Sequence, residues 1–197
     1  MKRLFDIVVS FFGLVFISPV LLLLSILIIA TMGWPVFFCQ NRVGKDGVPF
    51  KIIKFRSMVK NAESKGPAFT SGGDPRITPI GKFMRKMKLD ELPQLLNVFW
   101  GDMSFVGPRP EVPKYVSLYN EEQIRVLSVR PGLTDPASIV YRNEEEILAG
   151  YDDKETVYVE KIMPAKLKLN LSYIEKASFF RDLGLIIKTI RKVVSRT

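Results

Sequence analysis

The sequence predicts a mostly α-helical protein with short β-strands: a membrane-embedded N-terminal helix followed by one compact, membrane-associated domain. Three observations lead there. Residues Ile7 to Ala30 form a run with no charged side chain. Several later segments repeat apolar residues at helical spacing, and only a few short stretches alternate as strands do. The 197-residue chain also carries a formal charge of +9 with 47% hydrophobic residues, a composition that suits a real core beside an anionic partner.

As a straight helix at about 1.5 Å per residue, the Ile7–Ala30 run reaches about 36 Å, enough for a hydrocarbon core of about 30 Å. It is longer than a signal-peptide core and has no small-x-small cleavage site after it. Pro19 lies near its centre. A proline there deprives the Val15 carbonyl of its helical donor, and the Ser18 hydroxyl can donate back one turn earlier. Lys2 and Arg3 precede the run. Arg42, Lys45, Lys51, Lys54 and Arg56 follow it against Asp46 alone, so the positive-inside rule draws both flanks to the cytoplasm. A hairpin bent at Ser18-Pro19 satisfies both flanks; a tilted or kinked single pass, which the length also allows, is the alternative. Composition divides the chain into residues 1–35, the membrane helix, and residues 36–197, the cytoplasmic domain.

In the second part, Val36 to Asn41 and Phe50 to Met58 read as strands flanking a Gly44–Gly47 turn. Residues 61–79 are rich in Gly, Ser, Thr and Pro and form a loop. Ile80–Lys88, Leu92–Trp100, Pro164–Lys176 and Phe179–Val194 read as helices, with Gly101 as a stop and Ser178 as an N-cap. The first and last combine an apolar face with cations, so they either pack on the core or lie in the membrane interface.

Two absences narrow the chemistry. With no histidine, imidazole acid–base catalysis and His metal sites are excluded; with Cys39 alone, so are internal disulfides and Cys-based zinc. Carboxylates, Lys, Arg, hydroxyls and a hard cation remain. The segment from Lys88 to Pro110 concentrates them. Asp90 and Glu91 stand before a helix start, where they act as caps or, as carboxylates kept ionised by the helix N-terminus, suit Mg²⁺ or nucleophilic attack. Arg109, between Pro108 and Pro110, presents a guanidinium from a stiff backbone, to brace a turn or to take a phosphate. Lys54 and Arg56 are either a solvated strand edge or further positive charge on the same face. Together these parts suit phosphoryl chemistry at a membrane. The rival is a basic module binding anionic lipid or nucleic acid; it leaves the Asp-Glu and Pro-Arg-Pro motifs unexplained, and no RRM, KH or zinc-finger pattern supports it.

These motifs resemble the monotopic phosphoglycosyl transferases, the bacterial sugar transferase family. The resemblance rests on Leu89-Asp90-Glu91-Leu92-Pro93-Gln94, Asn97-Val98, Gly101-Asp102-Met103-Ser104 and Val106-Gly107-Pro108-Arg109-Pro110. It extends to Lys2-Arg3, Asp6, Ser18-Pro19, Lys54 to Met58, Asp74 to Thr78, Arg130 to Thr134, Ser178-Phe179 and Asp182. The minimal length looks like the small type of the N-glycosylation (Pgl) pathway. The resemblance implies transfer of a sugar 1-phosphate from a UDP-sugar to polyprenyl (undecaprenyl) phosphate, with release of UMP. Asp90 would be the nucleophile that forms a covalent phosphosugar, and Glu91 would support Mg²⁺ and proton handling, both acids serving as metal ligands. Arg109, with Lys54, Arg56, Arg76 and Arg130, would bind phosphate and substrate. Ser18-Pro19 would bend the membrane helix into a re-entrant wedge on the cytoplasmic face of the bacterial inner membrane. Other glycosylation-pathway enzymes are its candidate partners, and nucleic acid is not. After Thr134 the chain departs from many relatives, which continue with Gly and then Gln-Val; here Asp135-Pro136-Ala137-Ser138-Ile139 follows, so the sugar is left unnamed.

Overall fold

The computed structural model describes residues 1–66, 70 and 73–195; parts of the 61–79 loop (67–69, 71 and 72), residues 196 and 197, and the side chains of 63, 193 and 194 lie outside the described residues. The chain opens with helix α1, Lys2–Met32, the one helix among the described residues long and apolar enough to cross a membrane. The expected break at Ser18-Pro19 is milder than a gap between two helices. Helix α1 continues through Pro19, and Ser18 Oγ donates to the Val15 carbonyl at 2.8 Å. The hydroxyl therefore serves the oxygen that the proline leaves without an N–H.

Both ends of α1 are fastened to the rest of the protein. At the N-terminal end, Lys2 Nζ donates to the Val106 carbonyl at 2.8 Å and pairs with Asp182 at 2.7 Å. Arg3 donates to the carbonyls of Val98 and Phe99 at 2.6 and 2.8 Å, and Asp6 Oδ1 accepts from Phe105 N at 3.2 Å. At the other end, Leu24 and Ile28 are buried in a cluster with Val36, Phe55 and Met84. Between them, from Phe11 to Leu23, no side chain is buried and Phe16 is 78% exposed. In a water-soluble helix that stretch would be costly, at roughly 25 cal/mol per Å² of apolar surface left in water; in lipid it is at home.

Strands β1 (Phe37–Val43) and β2 (Pro49–Phe55) form an antiparallel hairpin with Phe37 opposite Phe55 and Val43 opposite Pro49. The turn between them closes as a 3₁₀ turn, with Asp46 and Gly47 at positive φ. Helix α2 (Pro79–Lys86) is capped by Thr78, whose hydroxyl accepts from Gly81 N at 3.1 Å. Its expected apolar face divides: Met84 is fully buried, whereas Phe83 and Met87 are exposed. Helix α3 (Gln94–Trp100) stops at Gly101, where φ is 101°, as the sequence predicts.

A pairing not legible in the sequence follows. Strands β3 (Ser104–Val106) and β4 (Gly132–Thr134) run parallel, with Ser104 opposite Gly132 and Val106 opposite Thr134. Three residues each is too short to leave an alternating signature. Short helices α4 (Pro113–Val116), α5 (Pro136–Val140), α6 (Glu144–Ala149) and α7 (Lys154–Val157) follow. A π-helical turn, Tyr158–Ile162, joins α7 to α8 (Met163–Glu175), and α9 (Phe179–Val194) ends the described chain. Ser178 begins α9, accepting from Arg181 N at 3.4 Å. Helix α9 neither sinks into the core nor stands clear: Asp182 is buried, and Phe180, Ile187 and Ile190 are exposed. The main core lies between α4, α6, the π turn and α8, around Tyr115, Leu148, Ile162 and Leu167.

Candidate active site

The site forms where β2, the turn before α3, and the Pro108–Pro110 segment meet. Asn97, 1% exposed, sets the first contact. Its Oδ1 accepts from Ile53 N at 3.0 Å, and its Nδ2 donates to the Lys51 carbonyl at 2.8 Å. The side-chain amide thus satisfies the backbone of β2 as a neighbouring strand would. This seats the start of α3 beside Lys54.

Asp90 and Glu91 lie in a 3₁₀ turn, Leu89–Glu91, just ahead of α3. Glu91 Oε1 accepts from Lys54 Nζ at 3.0 Å and from Arg109 Nη2, and Oε2 accepts from Arg109 Nη1 at 3.3 Å. This is the two-pronged guanidinium–carboxylate geometry that gives strong, oriented pairs. Asp90 is its opposite: it is buried, and its Oδ1 has no hydrogen-bond partner.

The two neighbours consequently titrate apart. Burial pushes the Asp90 carboxyl up, and the Glu91 charge adds to the shift. Burial also acts upward on Glu91, yet the Arg109 and Lys54 charges overcome it and hold that carboxyl well below the usual carboxylate range. Burial pushes Lys54 down, against the pull of Glu91. A helix N-terminus alone would keep both acids ionised; for Asp90, desolvation and a like charge outweigh it. Neighbouring acids with opposed environments are the pattern of a pair whose members do different chemistry.

Of the cations foreseen as phosphate ligands, Lys54 and Arg109 reach the acids, and the other three are engaged elsewhere. Arg56, 5% exposed, donates to the carbonyls of Met32, Gly33 and Trp34 at 2.8, 2.6 and 3.0 Å. It caps the exit of α1, because a charged fork is the strongest available partner for carbonyls at a helix C-terminus. Arg76 is paired with Asp74 at 2.7 Å and donates to the Ala62 carbonyl at 3.0 Å. Arg130 donates to the Gly101 carbonyl at 2.8 Å, at the far end of α3 from Asp90. Replacing Arg56 with Met is therefore expected to lower stability by about 3 kcal/mol, from hydrogen bonds lost to a charged donor. A thermal unfolding midpoint in detergent checks this; unchanged stability would return Arg56 to the candidate phosphate ligands.

The structure adds residues to which the sequence reading gave no role in the site. Gln94, fully buried one helical turn after Asp90, has both amide atoms unpartnered, and Asn170 Oδ1 on α8 is likewise buried without a partner. Nothing in their sequence spacing signals this. Behind Arg109, Asp135 is fully buried and accepts from the Arg109 backbone N–H at 2.9 Å.

The family described as Bacterial sugar transferase matches residues 1–196. The chain is 40% identical to an uncharacterized sugar transferase of Bacillus subtilis, over 98% of this chain and 87% of that protein. It is 37% identical to the UDP-N-acetylgalactosamine-undecaprenyl-phosphate N-acetylgalactosaminephosphotransferase of Aeromonas hydrophila, over 98% of this chain and 44% of the relative. To the UDP-glucose:undecaprenyl-phosphate glucose-1-phosphate transferase of Klebsiella pneumoniae it is 39% identical, over 97% of this chain and 39% of the relative. Less than half of each of the last two is therefore matched. A match along nearly the whole chain, through the acid pair and the Pro-Arg-Pro segment, places this chain among the bacterial sugar transferases, the phosphoglycosyl transferase family of enzymes.

Proposed function

We propose that this chain transfers a sugar 1-phosphate from a UDP-sugar to undecaprenyl phosphate and releases UMP, through a covalent intermediate on Asp90. The observation that carries the reading is the division of labour between neighbouring acids: Asp90 offers a buried, unpartnered oxygen, and Glu91 is held ionised between Lys54 and Arg109. In the first step the Asp90 carboxylate attacks the sugar-bearing phosphorus of the UDP-sugar. The bond from that phosphorus to the bridging oxygen breaks, and UMP leaves with the oxygen and its electron pair. In the second step a phosphate oxygen of undecaprenyl phosphate attacks the same phosphorus, and Asp90 leaves as a carboxylate. The product is a lipid diphosphate-linked sugar, the first membrane intermediate of glycoconjugate assembly, N-glycan assembly included.

A desolvated carboxylate is a stronger nucleophile than a hydrated one, so the raised affinity of Asp90 for protons suits attack once it is ionised. Arg109 and Lys54 supply positive charge where phosphate oxygens would gather. Glu91, held well below the usual range, fits orienting those cations better than carrying protons. Mg²⁺ fits this donor set: Asp90 Oδ1 is a free hard oxygen, and the ion characteristically takes one or two carboxylates with substrate phosphates and water for the rest. Among the described residues no group of three acids, His or Cys could cage it without substrate. When bound, it would offset the negative charge gathering on the departing UMP.

Helix α1 supports a re-entrant reading, with both ends on the cytoplasmic face of the bacterial inner membrane. Lys2, Arg3 and Asp6 bind the same domain that holds Met32, Gly33 and Trp34 through Arg56, and a span ending on the opposite side could not make both sets of contacts. The topology is checked by replacing Cys39 with Ser and introducing Met1→Cys or Lys45→Cys. Both cysteines are expected to react only with reagent given access to the cytoplasmic face; labelling from opposite faces restores the single pass. The function is tested with purified protein, undecaprenyl phosphate, Mg²⁺ and a panel of UDP-sugars, scoring UMP. No release with any sugar overturns it.

A further inference from the structure

The segment Asp135-Pro136-Ala137-Ser138 lies directly behind Arg109. Arg109 stands between two prolines, so its N–H is the one backbone donor in Pro108-Arg109-Pro110. Each residue of that run is held by a different element. The Pro108 carbonyl accepts from Gly132 N at 3.0 Å, and the Pro110 carbonyl accepts from Arg42 Nη1 at 3.1 Å. The Arg109 N–H goes to Asp135 Oδ2 at 2.9 Å. The two oxygens of Asp135 divide their work. Oδ1 accepts from Ser138 N at 2.7 Å and caps α5. Oδ2 takes the Arg109 N–H and, at 3.0 Å, the Ser138 hydroxyl. The carboxyl is fully buried, so no solvent replaces a lost partner.

We infer that Asp135 is a positioning residue for Arg109, fixing the single N–H of the Pro-Arg-Pro run so that the guanidinium stays aimed at Glu91 and at a phosphate replacing it. The inference rests on the reading of Arg109 as a phosphate ligand. One carboxyl thereby both starts a helix and steadies the site. A cap alone would need a single oxygen; the second oxygen is the part that reaches Arg109.

Asp135→Ser separates these roles. Serine caps helices about as well as aspartate but brings one oxygen, which the Ser138 N–H claims. In the full-length membrane protein, amide exchange in the 106–110 segment should accelerate about tenfold at Arg109. KM for UDP-sugar should rise about fivefold or more, with kcat changed less. Ser138→Ala, which spares the Arg109 contact, should leave both readings within twofold. In an Arg109→Ala background Asp135→Ser should add less than a further twofold, as expected of residues acting through one contact. If Asp135→Ser does not fold, Asp135→Asn serves. Its Oδ1 can cap, its amide hydrogens then face the Arg109 N–H, and the same faster exchange is expected. Wild-type exchange at Arg109 in the folded variant overturns the inference, as does an unchanged KM. Absence of UMP release by the wild-type protein would instead count against the proposed transfer, and the exchange measurement would still decide whether Asp135 holds Arg109.

Discussion

Asp90→Asn is expected to lower UMP release by about a thousandfold or more, equivalent to about 4 kcal/mol of barrier, with folding and membrane association retained. The substitution is nearly isosteric and removes the charge and nucleophilicity of an oxygen that is buried and free of hydrogen-bond partners. That oxygen makes no hydrogen bond to the protein, so little stability is lost with it. Burial raises the Asp90 carboxyl, so the neutral amide is tolerated at least as well as the charged form. Radiolabelled nucleotide-sugar provides the second reading: wild-type protein should retain label on its chain after denaturation, and the variant should not. Turnover within tenfold of wild type would rule out attack by Asp90.

Gly132→Ala is expected to cost about 3 kcal/mol or more, enough to deplete the folded protein from membranes. A Cβ at Gly132 would stand 2.1 Å from Gly107 N and 2.5 Å from Gly107 O. Both are backbone atoms of the facing strand and cannot rotate away. The glycines approach this closely because β3 and β4 continue their pairing past their ends: Gly107 N donates to the Thr134 carbonyl and Gly132 N to that of Pro108, each at 3.0 Å. Parting the strands therefore also shifts Pro108, and Arg109 with it. Detergent-extracted yield and unfolding midpoint check the prediction; a variant of wild-type stability would mean that these strands separate easily. Substitution at Gly150, whose added Cβ meets nothing nearer than 3.6 Å, makes a suitable control.

Helices α1, α3, α8 and α9 and the β1–β2 hairpin were legible because each is long enough to show its period or is bounded by Pro, Gly or Ser. The parallel β3–β4 pair and the helices α4 to α7 were not, since three to six residues carry too little pattern. The site divides along a similar line. Asp90, Glu91 and Arg109 announced themselves through local context, an acid pair before a helix and an Arg between prolines. Arg56 looked equally cationic, yet its partners are the carbonyls of residues 32–34, more than twenty positions away. Local sequence cannot say whether a cation meets a substrate or the chain itself. Asp135 was visible only as a departure, because its role depends on a residue 26 positions earlier.

The cluster of Leu24, Ile28, Val36, Phe55 and Met84 ignores the boundary that composition draws at residue 35. Part of it comes from the greasy segment and part from the polar remainder. Cutting the chain at that boundary would not free a soluble enzyme from its tether. It would open a dry interior to water, strand the Arg56 guanidinium without the carbonyls that hold it, and remove Arg3 from the end of α3. The apolar helix and the rest of the chain are packed as one unit here.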